Sequence, residues 1–185
     1  MKDLQTIILA GGESKRMGSD KGLVKLDGKP LILRVIEAAR GVSNRIVIIS
    51  SNPDYERFGV PVFEDIIKDK GPAGGIYTGL LNSKYETNVI LSCDLPFVEP
   101  SLISVLVSRS GNEDVLIYKD QDFNHPLIGV YKKSLTEHFK KCIDKNILTL
   151  SEILEPLKVK ELDVPEPMKK QVVNVNTKKE LDKYS

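Results

Sequence analysis

A glycine-rich segment near the start of the chain carries the residue types that bind phosphate groups. Residues 9–22 read LAGGESKRMGSDKG, so four glycines lie among hydroxyl and basic side chains. Glycine lets consecutive backbone N–H groups converge on an anion, because it adopts conformations that other residues avoid. The guanidinium of Arg16 and the ammonium of Lys21 could bind that same anion. The segment therefore indicates a phosphate site, although a solvated surface loop could have the same composition.

The spacing within this segment excludes two common phosphate-binding motifs. A Walker-type loop needs Gly-x-x-x-x-Gly-Lys followed by Ser or Thr, and that sequence is absent from the chain. The dinucleotide fingerprint needs Gly-x-Gly-x-x-Gly opening directly into a helix. Here the first two glycines are adjacent, and the next helix signal comes only at Pro30. The segment is therefore a phosphate-site candidate of another kind.

A carboxylate follows the third apolar run of the chain. Asp94 comes directly after residues 88–93 (NVILSC), and Pro96 two positions later would stop a strand there. Magnesium prefers oxygen ligands and commonly takes one or two carboxylates together with nucleotide phosphates. Asp94 could therefore hold Mg²⁺ if its strand neighbours the first one, whereas a turn-capping role would need no metal.

Two further polar positions leave their alternatives open. Asp65 ends a short apolar segment and could hydrogen-bond a base or a ribose, but a solvated turn fits the sequence equally well. His125 could donate to an anion or act as a general base. A structural histidine is the simpler interpretation of that position.

The elements that must hold these residues alternate along the chain. Short apolar runs suit strands buried on both faces, as in parallel sheets, and they take turns with amphipathic segments. Residues 71–75 read as a glycine-rich loop that leads into a helix. This order predicts a three-layer α/β domain with a mainly parallel sheet. Strands are predicted at residues 6–10, 45–50, 60–63, 88–93, 115–118, 127–131 and 172–176, and helices at 30–40, 76–81, 100–109, 134–143, near 151–154 and at 177–184.

Composition limits the classes of partner. The 185 residues suit one domain spanning 1–185, and 27 basic against 26 acidic residues leave a net charge of +1. Such a chain has no overall field that would attract nucleic acid or an anionic membrane, so any anion must be bound locally. Its two cysteines form no disulfide framework, and no apolar run is long enough for a spanning helix or a signal peptide. We therefore expect a cytoplasmic protein.

Residues 9–31 resemble the start of the molybdenum cofactor guanylyltransferases, which belong to the nucleotidyltransferase superfamily with a Rossmann-like fold. That family's pattern is Leu-Ala-Gly-Gly-x-Ser-x-Arg-Met-Gly, then Asp-Lys-Gly, then Gly-x-Pro-Leu, and every part is present here. The resemblance resumes in order at five later places and so covers nearly the whole chain. Those places are residues 64–65, 71–75, 93–97, 125–126 and 174–177.

The resemblance implies an activity and roles for individual residues. The activity is transfer of GMP from GTP to the phosphate of molybdenum-bound molybdopterin, with Mg²⁺ as cofactor, which forms the guanine dinucleotide form of the molybdenum cofactor and releases pyrophosphate. It also implies transient contacts with other cofactor-biosynthesis proteins and with acceptor molybdoenzymes. Residues implied to bind the nucleotide are Leu9, Ala10, Gly11, Gly12, Asp65 and Gly71; Arg16 and Lys21 would act on its phosphates, Asp94 would bind Mg²⁺, and Asn174 and Asn176 would face the pterin.

The chain departs from this family's pattern at two places. The family often has Asn directly at the end of the second strand, where this chain has Ser50. We expect Asn52 to bind substrate from a shifted position instead. The usual Asn-Thr-Pro-Glu near the end has lysines at positions 178 and 179 in place of Pro-Glu, which should affect helix capping more than catalysis.

Two alternatives to the guanylyltransferase are considered. One is a cytidylyltransferase of the same superfamily acting on molybdopterin or a sugar-like phosphate. Its molybdopterin-specific members typically carry Ala-Ala-Gly where this chain has Ala10-Gly11-Gly12, so the sequence favours guanine. The other is a non-enzymatic carrier of the cofactor. Lys21 and Asp94 argue against a carrier, because it has no need of a metal-assisted phosphate site.

Overall fold

The computed structural model describes residues 3–11, 20–121, 123–175 and 180, and strands alternate with helices along these ranges. The strands are β1 (Leu4–Leu9), β2 (Lys25–Leu26), β3 (Lys29–Pro30), β4 (Ile46–Ile49), β5 (Val62–Phe63), β6 (Thr87–Ser92), β7 (Val115–Asp120), β8 (Phe123–Lys132) and β9 (Val159–Asp163). The α-helices are α1 (Leu31–Arg40), α2 (Gly71–Asn82), α3 (Pro100–Arg109), α4 (Thr136–Asp144) and α5 (Leu150–Leu154). Four 3-10 helices span Lys21–Leu23, Pro53–Phe58, Lys133–Leu135 and Glu166–Val172.

The described strands form a seven-stranded sheet in the order β5-β4-β1-β6-β8-β7-β9 and a small hairpin of β2 and β3. In the large sheet β1 pairs in parallel with both β4 and β6, and β4 pairs in parallel with β5. Strand β8 runs antiparallel to its neighbours β6 and β7, whereas β9 is again parallel to β7. A single reversed strand therefore interrupts an otherwise parallel sheet, which confirms the predicted class.

Apolar side chains cover both faces of this sheet. All six residues of β1 are buried, as a strand between two helical layers requires. One core lies between the sheet and helices α1 and α3, and a second lies between the sheet and helices α2 and α4. The protein therefore has the predicted three layers. Within the described residues, no helix is long and apolar enough to cross a membrane.

Helix α2 begins earlier than predicted, because the segment 71–75 is its first turn and not a loop. Gly71 has a φ of +54°, which suits glycine, and Pro72 fills an early helix position where its missing N–H costs nothing. The later glycines serve close packing on β1. A Cβ on Gly75 would lie 3.1 Å from Leu9, and one on Gly79 would lie 2.5 Å from Ile7.

The second half of the chain also differs from prediction at three places. Strand β9 was not predicted, because its sequence VKELD places charged, exposed side chains on an edge strand. Strand β8 begins before the predicted 127–131, with His125 inside it. The strand predicted at 172–176 is absent from its described part, since Val172 ends a 3-10 helix and residues 173–175 have no regular structure. The helix predicted at 177–184 lies outside the described residues, apart from the helical Glu180.

The close approach of α2 to β1 predicts how a substitution at Gly79 changes the stability of the protein. Gly79→Ala should lower the free energy of unfolding by about 1–2 kcal/mol, because overpacking against the buried Ile7 costs more than the roughly 1 kcal/mol gained in helix propensity. Chemical denaturation followed by circular dichroism measures the change. Gly111→Ala is the matched control, since Gly111 is exposed and should change stability by less than about 0.5 kcal/mol. Equal stability of the two variants would contradict the packing assigned to Gly79.

Candidate active site

Three parallel strands end at one edge of the sheet, and their carboxyl ends are joined by backbone hydrogen bonds. The N–H of Ala10, just after β1, donates to Ile49 O at 2.9 Å. On the other side, the N–H of Cys93 donates to Leu9 O at 3.1 Å. The chain therefore leaves β1 between the ends of β4 and β6, at the edge where open α/β sheets bind ligands.

Lys21 and Asp94 meet at this edge, as their predicted roles require. Lys21 Nζ lies 3.7 Å from Asp94 Oδ2, with side-chain exposures of 30% and 9%. The other carboxylate oxygen of Asp94 accepts a 2.6 Å hydrogen bond from the Ser92 hydroxyl. Ser92 therefore orients the carboxylate at the end of β6, so that Oδ2 faces the ammonium.

Asp20 precedes Lys21 and accepts three hydrogen bonds from residues that hold it in place. Its Oδ1 accepts from the Gly22 N–H at 3.2 Å and from the Tyr55 hydroxyl. Its Oδ2 accepts from Asn52 Nδ2 at 3.0 Å. Both carboxylate oxygens are thus engaged within the protein, at the start of the 3-10 helix Lys21–Leu23.

Cys93 is buried beside these charges. Burial raises the pKa of the Cys93 thiol well above its usual range, and the carboxylates of Asp94 and Asp20 raise it further. The ammonium of Lys21 opposes this shift. The thiol therefore stays protonated and apolar in character, which agrees with a core role.

Asp65 lies against the glycines at the end of β1 and the start of α2. A Cβ on Gly11 would be 3.8 Å from Asp65 Oδ2, and a Cβ on Gly75 would be 3.8 Å from Oδ1. Oδ1 is buried and has no hydrogen-bond partner within the described residues. Burial and the neighbouring Glu64 charge raise the pKa of the Asp65 carboxyl. This atom is an unpaired acceptor beside the glycine segment, as a site for ligand N–H or O–H donors would need.

The segment near the end of the chain reaches the same site through its backbone. The N–H of Val175 donates to Asp94 O at 3.0 Å, so residues 173–175 pass beside the end of β6. Asn174 is exposed there. This contact brings Asn174 to the neighbourhood of Asp94, and its role of facing the pterin stays a prediction.

His125 lies within β8 and pairs in register with Tyr118. Its Nε2 atom is buried and has no hydrogen-bond partner among the described residues, and burial lowers the pKa of its imidazole. Asp120 opposes this shift. The ring is therefore biased toward its neutral form.

The predicted site residues fall into three groups. Those gathered at the carboxyl edge are Leu9, Ala10, Gly11, Lys21, Asn52, Asp65, Asp94 and Asn174. Gly12, Arg16 and Asn176 lie outside the described residues. Gly71 is exposed at the start of α2, and a Cβ there would meet nothing within 4 Å. Its role in binding stays a prediction.

Three residues of the site were not predicted from the sequence. Asp20 and Ser92 each adjoin a predicted segment, but nothing in their spacing distinguishes them from ordinary turn residues. Tyr55 lies far from Asp20 in sequence and shows no local pattern, so only the tertiary structure identifies it. The one usable signal was the run Asp-Lys-Gly, in which the residue before Lys21 is a carboxylate.

Comparison with known proteins identifies the family. The MobA-like NTP transferase domain matches residues 6–160. A probable molybdenum cofactor guanylyltransferase of Flavobacterium johnsoniae is 35% identical over 183 residues, which cover 98% of this chain and 96% of that relative. A protein of the same name from Aquifex aeolicus is 34% identical, covering 94% of this chain and 86% of that relative.

A solved structure agrees with these sequence relatives. Molybdopterin-guanine dinucleotide biosynthesis protein A from Archaeoglobus fulgidus superposes with a TM-score of 0.84 at 26% identity, covering 97% of this chain and 96% of that chain. The matches extend over nearly the whole length, including the positions of Lys21 and Asp94. The chain therefore belongs to the MobA-like NTP transferase family, and it is a nucleotidyltransferase.

Proposed function

We propose that this nucleotidyltransferase moves GMP from GTP to the terminal phosphate of molybdopterin and releases pyrophosphate. The observation that carries this proposal is the Lys21–Asp94 pair, which lies at the edge of the sheet where β1 and β6 end. A cation and a metal-binding carboxylate at a phosphate loop are what nucleotidyl transfer requires. The names of the full-length relatives supply the guanine and the molybdenum cofactor.

The donor set at Asp94 fits a magnesium ion. Asp94 Oδ2 lies 3.7 Å from Lys21 Nζ, and this distance exceeds a hydrogen-bond length. The oxygen can therefore coordinate a magnesium ion, which prefers oxygen ligands. Within the described ranges no three His, Cys, Asp or Glu side chains group together as a metal site. We propose that Asp94 holds Mg²⁺ together with GTP phosphates, because magnesium commonly takes one or two carboxylates and completes its coordination with nucleotide phosphates. The bound ion would neutralise charge on the departing pyrophosphate.

The protein's own residues would then orient the phosphates and balance their charge. An oxygen of the molybdopterin phosphate attacks the α-phosphorus of GTP, and the bond from that phosphorus to the α–β bridging oxygen breaks. Pyrophosphate leaves with that electron pair. The nucleophile is already anionic near neutral pH, so no side chain has to remove a proton. We assign the phosphates to Lys21, to Arg16 and to the backbone N–H groups of Gly11 and Gly12.

The two ends of the cleft would bind the two substrates separately. The unpaired Oδ1 of Asp65 would accept from the guanine or ribose of GTP. Asn174 and Asn176 would contact the acceptor. The hydrogen bond from the Val175 N–H to Asp94 O supports this role, because it holds the segment beside the carboxylate that would bind the metal. The reaction would take place in the cytoplasm, where the free thiols of Cys93 and Cys142 stay reduced. Transfer of the product to molybdoenzymes would involve transient protein contacts.

Base preference is the first prediction of this proposal. With purified molybdopterin and Mg²⁺, the protein should form the guanine dinucleotide from GTP at least about tenfold faster than the cytosine dinucleotide from CTP, because one mismatched set of base hydrogen bonds costs about 1–3 kcal/mol. Pyrophosphate release and product chromatography measure both rates. Faster turnover with CTP would instead identify a cytidylyltransferase.

Asp94 gives the second prediction. Asp94→Asn should lower kcat by about 10²- to 10³-fold, because it removes one charged group that stabilises the transition state, while the fold persists. Steady-state kinetics over a range of Mg²⁺ concentrations measure the loss. Asp163→Asn is the matched control, since Asp163 is an exposed carboxylate on the edge strand β9. Near-normal activity of Asp94→Asn would remove Asp94 from the metal role.

Replacing Asp65 with Asn should have opposite effects on the stability of the protein and on its affinity for GTP. Asp65→Asn should weaken GTP binding about 10- to 100-fold, because an amide replaces a charged acceptor. Calorimetry measures this affinity. The same variant should raise the Tm of the unliganded protein at pH 7 by about 2 °C, since it removes an unpaired, half-buried charge that costs no more than about 1 kcal/mol.

The raised pKa of Asp65 determines how the higher Tm of Asp65→Asn depends on pH. Folding disfavours its ionised form, so the wild-type protein loses stability as pH rises through the unfolded pKa toward the folded one. The difference in Tm between variant and wild type should therefore vanish below about pH 4. Asp163→Asn is the control, because Asp163 is an exposed carboxylate on the edge strand β9 and does not act on the pKa of Asp65. A lower Tm for Asp65→Asn at pH 7 would contradict this account.

A further inference from the structure

The carboxylate of Asp20 ties the phosphate loop to the segment that follows β4. Its three hydrogen-bond donors come from two segments of the chain. Gly22 lies two residues after Asp20, whereas Asn52 and Tyr55 lie in the segment that follows β4. Asn52 caps the 3-10 helix Pro53–Phe58, where its Oδ1 accepts from the Asp54 N–H at 3.0 Å. Asp20 therefore links the 3-10 helix Lys21–Leu23 directly to the segment that follows β4.

Tyr55 is built into this junction. Its side chain is fully buried, and burial raises the pKa of its hydroxyl far above the usual range, with Cys93 and Asp20 adding to the shift. The hydroxyl is therefore a permanent donor to Asp20. A Cβ on Gly22 would overlap that hydroxyl, so only glycine fits at this position. The donor, the acceptor and the glycine form one packed unit.

Lys21 lies between the two anchored residues of this unit. Its backbone is fixed on one side by Asp20 and on the other by Gly22, and its side chain extends to within 3.7 Å of Asp94 Oδ2. A flexible lysine loses side-chain entropy when it binds a phosphate, and a mobile backbone would add to that cost. Fixing the backbone beforehand removes the backbone part of that cost.

We propose that Asp20, Tyr55 and Asn52 are positioning residues, which act on nucleotidyl transfer by holding Lys21 opposite Asp94. This inference rests on the proposed function, because its main readout is GMP transfer. The rival role for Asp20 is a second carboxylate on the metal. Three donors already occupy its two oxygens, which favours the positioning role.

A matched pair of tyrosine variants isolates the positioning effect. Tyr55→Phe removes the hydroxyl that holds Asp20, and Tyr118→Phe removes an equally buried hydroxyl that donates to Leu102 O at 2.9 Å. Both should lower the Tm, Tyr55→Phe by somewhat more, because its hydroxyl donates to a carboxylate and that of Tyr118 to a neutral carbonyl. Tyr55→Phe alone should lower kcat about tenfold, since displaced catalytic groups cost rate steeply. Equal kcat values for the two variants would overturn the proposal.

An exchange of side chains between Asp20 and Asn52 separates positioning from metal binding. Asp20→Asn places two amide donors face to face, and Asn52→Asp places two carboxylates face to face, so each should lose activity about tenfold or more. The double variant restores a hydrogen bond in the opposite direction, from the amide at position 20 to the carboxylate at position 52. We expect its kcat to return to within about threefold of wild type. No recovery would show that the Asp20 charge itself is required.

Amide hydrogen exchange gives a readout that does not depend on turnover. The Gly22 N–H donates to Asp20, so its exchange rate, measured by NMR in unliganded protein, should rise in Tyr55→Phe and in both single exchange variants. It should return toward the wild-type value in the double variant and stay unchanged in Tyr118→Phe. A wild-type protein that transfers no GMP would refute the proposed function, whereas an active wild type with unaltered Gly22 exchange in Tyr55→Phe would refute the positioning role alone.

Discussion

The parallel pairing of β1 with both β4 and β6 is the constraint on which the site depends. Because β1 is buried along its whole length, its register is fixed by apolar packing on both faces of the sheet. The last hydrogen bonds between β1 and its two neighbours, donated by Ala10 and Cys93, then determine where the backbone leaves the sheet after β1 and after β6. The phosphate segment, Asp20 with its partners and Asp94 all start from those points, so their relative positions follow from the core.

Charge at this site is concentrated in a protein that is nearly neutral overall. Lys21 and Asp94 keep low exposure yet remain beyond hydrogen-bond distance of each other. The ammonium can therefore turn toward a phosphate without breaking a direct hydrogen bond to that carboxylate. Ser92 meanwhile satisfies the second oxygen of Asp94. The site is thus organised before ligand arrives, which reduces the entropy lost on binding.

Local patterns predicted the elements whose sequences are buried on both sides, and failed where tertiary contacts decide. Strands β1, β4 and β6 each contain a continuous apolar run of three or four residues, so the sheet edge and the placement of Asp94 could be predicted. Strand β9 could not, because its charged edge sequence resembles a loop. The start of α2 was missed because its glycines, read as loop residues, instead permit close packing on Leu9 and Ile7. The 173–175 segment follows its contact with Asp94, not its own β propensity.

The run Asp-Lys-Gly shows most directly what sequence patterns leave out. Read locally, it is one more charged, glycine-containing stretch of a phosphate loop, with each residue a candidate ligand. In the fold only Lys21 extends to Asp94, while Asp20 accepts three internal hydrogen bonds and Gly22 makes room for the buried Tyr55 hydroxyl. The requirement for aspartate and glycine at these positions thus comes from a tyrosine more than thirty residues away. The Asp-Lys-Gly motif therefore contains only one side of a tertiary contact. The other side is Tyr55, and the position of Lys21 depends on both.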